Sequence, residues 1–191
     1  MKITGVTVMA AMVGTTVWAG ALPAAERQVQ VCMGYTEEDT PAKTVSSNIF
    51  AGIGVKILWY SPKQCPAEAI FITFSNETPA GLLPGALAYA RPYEGTHIVV
   101  FYDRVKNRSG SVSSVLGHVI AHEVAHILQG LMRHSESGIM KAQWTGADYQ
   151  RMTARPLQFA DEDIALIHHG LKVREARFAA VAAAGRAPVA R

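Results

Sequence analysis

Runs of β-favouring residues alternate with amphipathic stretches along the chain. Residues 29–33 (VQVCM) form a short β-type run. Residues 55–60 (VKILWY), 69–74 (AIFITF) and 97–105 (HIVVFYDRV) are stronger strand patterns, rich in Val, Ile, Phe and Tyr. Ser61-Pro62 closes the second run, and residues 78–85 (TPAGLLPG), with two prolines and two glycines, predict a loop after the third. A short strand is predicted at 86–90 (ALAYA), bounded by Arg91-Pro92 and Glu94-Gly95. Between the first two runs, Val45, Ile49, Phe50 and Ile53 recur at helical spacing behind Thr40-Pro41, so 42–52 predicts a helix stopped by Gly52 and Gly54.

The second half reads as helices. One of Ser111, Ser113 or Ser114 is the expected cap of a helix running to about Gln129, with Gly130 a natural residue to end it. Thr145-Gly-Ala-Asp148 has the form of a capping box for a short helix, and a longer helix is predicted from 161 to about 178. Residues 179–191, Ala-rich with Gly185 and Pro188, are expected to form a flexible tail. This order predicts an α+β fold, a mixed twisted sheet of about five strands packed on the long helix, with further helices at the C-terminal end.

Composition narrows the class. A chain of 191 residues, 49% hydrophobic and 17% charged, supports one domain with a real core and excludes wholesale disorder. The net charge of +3 comes with no dense Lys/Arg cluster, so no nucleic-acid partner is expected. At the N-terminus, Met1-Lys2, the apolar stretch 3–17 and Ala19-Gly20-Ala21 read as a signal peptide over 1–21, with a second cleavage option at Pro23-Ala24-Ala25. The expected mature protein is then a single domain over 22–178, secreted or periplasmic and monomeric, with no stable membrane span. An uncleaved N-terminal anchor is the alternative. Export brings Cys32 and Cys65 out of a reducing cytosol, so a disulfide between them is expected, against the alternative of two buried free thiols.

The chemistry concentrates in residues 118–140 (HVIAHEVAHILQGLMRHSESGIM). His122, Glu123 and His126 spell H-E-x-x-H, which a chance coincidence of composition produces in roughly one such chain per hundred. Helical spacing sets the two imidazoles one turn apart, able to reach one ion, and puts Glu123 beside them rather than between them. That division suits zinc hydrolysis: histidines hold Zn2+ with a position left for water, and a neighbouring carboxylate serves as general base. His118 extends the series by one turn and is expected to pack or hydrogen-bond beneath the site, the alternative being that it competes with His126 as partner to His122. His97, His168 and His169 have no partner at ligand spacing. His134, beyond Gly130, is the expected third ligand; Asp148 is its competitor, and Glu136 suits solvent better.

With these residues in order, the chain resembles the metzincins, zinc peptidases with the pattern H-E-x-x-H-x-x-G-x-x-H and a following Met-turn. His122-Glu123-Val-Ala-His126, Gly130 and His134 follow that order, and Ser137-Gly138-Ile139-Met140 is similar to the Met-turn segment. Upstream, EAIFITF, LAYARP and HIVVFYD resemble successive sheet segments of matrixin-type catalytic domains, so the likeness covers roughly residues 45–145. Two departures stand out. The interval from His126 to Gly130 and that from Gly130 to His134 are each one residue longer than in the family pattern, and Lys141-Ala142 follows Met140 where some metzincins carry a tyrosine. The resemblance implies a zinc endopeptidase acting on a peptide or protein substrate, Met140 as a floor beneath the metal, and 86–90 as an edge strand to which an extended peptide adds. A non-catalytic zinc-binding or interaction protein that keeps such a fold is the alternative.

Overall fold

A computed structural model of the protein describes residues 26–34, 36, 39–77, 79, 82 and 85–184. The expected signal segment, 1–21, lies outside them. Five strands, β1 (Arg27–Met33), β2 (Val55–Tyr60), β3 (Ile70–Ser75), β4 (Ala88–Ala90) and β5 (His97–Phe101), form one mixed sheet in the order β2-β1-β3-β5-β4. The first three pairings across the sheet are parallel; β4 runs antiparallel to β5 and forms one edge. The α+β class and the five-strand mixed sheet are as the residue pattern predicts.

Alternation along each strand decides which face is covered. Val29, Val31 and Met33, with Val55, Ile57, Ile70, Ile72, Ile98 and Val100, are all buried, whereas Gln28, Lys56, Thr73 and His97 on the other face are exposed. Helices α1 (Asp39–Ala51) and α3 (Val112–Gln129) pack together on the covered face, and α3 also touches β4, β5 and the helices α2 (Tyr102–Lys106), α4 (Gly146–Ala154) and α5 (Asp161–Ala184). Every residue of α3 from Ser114 to Gln129 is buried, so this helix is the centre of the fold. On the open face, Cys32 of β1 is bonded to Cys65, with their Cα atoms 5.7 Å apart. The expected pairing is therefore formed.

Two boundaries differ most from expectation. The strand begun at His97 stops at Phe101, and Tyr102–Lys106 coil into a short helix. That change of path buries Val105 completely while Lys106 stays exposed, and Arg104 donates to the carbonyl of Ala86. The last helix runs past Phe178 to Ala184, so the first part of the Ala-rich segment expected to be flexible continues the helix, as its high helix propensity allows. Residues 185–191 lie outside the described set.

Candidate metal centre

Helix α3 is capped at both ends by its own sequence. Ser111 accepts the Ser114 N–H through its hydroxyl at 3.4 Å, and the Ser114 hydroxyl donates to the Met152 carbonyl at 2.6 Å, tying the first turn to α4. At the other end Gly130 takes a left-handed φ of 67° and returns its N–H to the carbonyl of His126. A side chain at 130 would meet nothing within 4 Å, so glycine is needed there for the turn and not for space. The chain reverses after it and brings His134 back to the helix. One ligand atom from each of His122, His126 and His134 lies within 4.8 Å of the others, a group that could hold a metal ion. Of the two extra residues in the spacing, the one before Gly130 lies in the last turn of α3 and the other in the loop after it.

The bonds around the rings define what the group offers. His122 Nδ1 lies 2.9 Å from the Ile139 carbonyl oxygen and His126 Nδ1 lies 2.9 Å from that of Leu131. A carbonyl accepts only from N–H, so Nδ1 carries the proton in both rings and each neutral Nε2 presents a bare lone pair. Those two Nε2 atoms are 3.0 Å apart. A proton between them would create a buried imidazolium. Burial first, then the charge His126 would carry, push His122 down to about 3. Burial likewise pushes His126 down to about 4, and it lowers His134. Near neutral pH the group is a set of converging, unprotonated nitrogen donors. Two imidazoles bound at ~2.0–2.1 Å to one tetrahedral ion sit about 3.3 Å apart, close to the observed separation. The donor set fits a divalent transition metal.

Against His122, residues 137–140 make a tight turn. Gly138 has φ 71°, and a Cβ there would collide with the carbonyl oxygen of Gln158, which accepts the next N–H, that of Ile139, at 3.0 Å. Ile139 and Met140 are fully buried, and the Met140 carbonyl accepts the Ser135 N–H at 2.7 Å. The Ile139 carbonyl receives two donors, His122 Nδ1–H and the Trp144 indole N–H at 3.1 Å. Trp144 stands edge-on to the His122 ring at 5.7 Å and to the His118 ring at 6.4 Å.

The other candidates are resolved by their partners. His118 is fully buried. Its Nδ1 lies 2.7 Å from the Ser114 carbonyl and its Nε2 accepts the Leu157 N–H at 3.0 Å, so neither nitrogen is left for an ion. Asp148 completes the capping box with Thr145 and takes charged donors from Lys141 at 2.5 Å and Arg151 at 2.7 Å. Burial alone would raise its pKa, but the Lys141 and Thr145 hydrogen bonds hold it well below the usual carboxylate range. It is absent from the ligand group, as are exposed Glu136, His97 and His169 and half-buried His168. Glu123 is buried next to His122. Burial pushes its carboxyl up to about 8, against the effect of a backbone hydrogen bond at Ala90.

That bond ties the helix to the sheet edge. Arg91 N–H donates to the His97 carbonyl and Phe101 N–H to that of Leu87, so residues 87 and 91 pair inward with β5. By antiparallel alternation the main-chain groups of Ala88 and Ala90 point outward, along the β4 edge of the sheet, where no further strand pairs among the described residues and the Ala90 N–H meets Glu123. Three participants had escaped the sequence: Trp144, the Ile139 carbonyl and Asp163. Each acts through contacts far apart in the chain, and only the acidic start of the last helix hinted at Asp163. No protein-family model matches this chain, and no curated protein matches it.

Proposed function

We propose that the protein is an exported, zinc-dependent endopeptidase of metzincin-like fold. The observation that carries this reading is the convergence of three unprotonated imidazoles beside a buried glutamate, at the β4 edge of the sheet. His122, His126 and His134 would hold the ion, with Nδ1 of the first two fixed by the Ile139 and Leu131 carbonyls. When bound, zinc supplies Lewis acidity, polarising a carbonyl oxygen and lowering the pKa of water. An extended substrate pairs with the outward main-chain groups of Ala88 and with the Ala90 carbonyl, the Ala90 N–H being held by Glu123, and the small side chains leave the approach open. Glu123 accepts a proton as water adds to the scissile carbonyl, then delivers it to the amide nitrogen as the C–N bond breaks. A dication near Glu123 favours its carboxylate, the form a base requires, while the apolar surroundings keep its proton affinity high. The Cys32–Cys65 bond supports an oxidising compartment, and no described helix is long and apolar enough to cross a membrane.

The test compares the wild type with Glu123→Ala for zinc content and for cleavage of casein or a mixed peptide library. Zinc retained in both, with cleavage abolished in the variant, supports the peptidase. Zinc retained with no cleavage by the wild type would instead favour a non-catalytic metal-binding protein. Equal cleavage by both would overturn the role of Glu123.

A further inference from the structure

The three histidines are not held alike. His122 and His126 each have Nδ1 pinned to a backbone carbonyl, whereas among the described residues no hydrogen bond to a protein group fixes the exposed ring of His134. Its position is set by its neighbours in the chain. Arg133 Nη1 donates to Asp163 Oδ1 at 2.8 Å, and the Ser135 hydroxyl lies 2.7 Å and 2.8 Å from the two oxygens of the same carboxylate. The amide of Gln129, the last residue of α3, reaches Asp163 Oδ1 at 3.5 Å. Asp163 itself is fully buried in the first turn of α5. One carboxylate therefore grips both residues flanking His134 and joins the start of α5 to the end of α3.

We propose that Asp163 is the positioning residue for His134, fixing the loop so that the third imidazole meets the other two. This rests on the reading of His134 as a metal ligand. A bound carboxylate that gripped one flank alone would leave the loop free to pivot about the other. Gripping both flanks, with the Ser135 N–H also bonded to the Met140 carbonyl, removes that freedom before any ion arrives. A buried ion pair that merely glued α5 to the domain would add stability and leave the metal group unchanged.

The two roles separate in a cobalt titration of the purified protein, read by visible absorption and chelator competition alongside thermal unfolding. Asp163→Ala and Ser135→Ala are expected to weaken Co2+ binding by ~10–100-fold, the range for residues that orient a ligand. Their spectra should shift towards that of His134→Ala. In a His134→Ala background Asp163→Ala should cause no further loss of affinity, and Ser135→Thr, which keeps the hydroxyl, should bind as the wild type does. Leu171→Ala, which opens the α5 packing elsewhere, should lower the melting temperature and leave the cobalt spectrum unchanged. If Asp163→Ala fails to fold, Ser135→Ala decides the matter. Wild-type affinity and spectrum in Ser135→Ala, or an equal loss from Asp163→Ala without His134, would overturn the proposal while leaving the metal site standing. A wild type that takes up no cobalt would overturn the metal reading, and this role with it.

Discussion

Replacing His134 and Asp148 by alanine, one at a time, should damage two different properties. His134 is exposed and its ring has no fixed hydrogen bond among the described residues, so His134→Ala should alter the stability of the metal-free protein by no more than ~0.5 kcal/mol. It should nevertheless weaken zinc binding by ~100-fold or more, because a complete four-ligand site is worth ~10–16 kcal/mol and one ligand carries a sizeable share. Asp148 is the reverse case. It is 1% exposed, completes the α4 capping box and neutralises Lys141, whose side chain is only 23% exposed. Loss of the cap costs about 1 kcal/mol. Stranding a partly buried lysine adds a further ~1–3 kcal/mol. At ~2–4 °C per kcal/mol for a chain of this size, Asp148→Ala should melt ~5–15 °C lower and keep zinc affinity within about threefold. Chelator competition measures the first property and thermal unfolding of the chelator-treated protein the second. If Asp148→Ala lost zinc and His134→Ala kept it, the ligand assignment would be wrong.

Three further outcomes follow from the same contacts. Gly138→Ala forces a left-handed residue against the Gln158 carbonyl and should cost at least ~1–2 kcal/mol, read as a lower urea midpoint; an unchanged midpoint would contradict the geometry of the turn. Burial lowers the pKa of His118, as it does for His122 and His126, so the unfolded chain binds protons first as pH falls. Glu123, pushed up to about 8, acts in the opposite sense and costs stability as pH rises towards that value. The metal-free protein is therefore most stable at about pH 7 and declines below about pH 6.5, where three histidines outweigh one carboxyl; a midpoint that stayed flat from there to pH 5 would refute this. Reducing the Cys32–Cys65 bond opens a 33-residue separation and should cost ~3–4 kcal/mol by chain entropy, measured by unfolding with and without reductant.

What the sequence made legible was local. Residues 55–60 announced their strand through a run rich in β-favouring side chains, and the serines at 111–114, Gly130 and the Thr145–Asp148 box marked helix ends because capping chemistry acts within a turn; the structure makes Ser111 the cap. The histidine pair was readable for the same reason, since one helical turn joins it. His134 was a spacing argument, and only the fold of the loop brings it to the group. The fate of His118 depended on the Leu157 N–H, 39 residues away, and that of Asp163 on Arg133 and Ser135, 30 and 28 residues away. No periodicity encodes such meetings. Asp148 looked like a ligand rival because a carboxylate near a histidine pair is chemically able to bind metal; its commitment to Lys141, Thr145 and Arg151 is a matter of packing.

The central claim, that His122, His126 and His134 together hold one catalytic ion, is tested most directly by zinc stoichiometry after loading and exhaustive dialysis. The wild type should retain one zinc per chain, and His122→Ala and His126→Ala should retain essentially none at the same zinc concentration. No retained zinc in the wild type, or a full equivalent in either variant, would contradict the account.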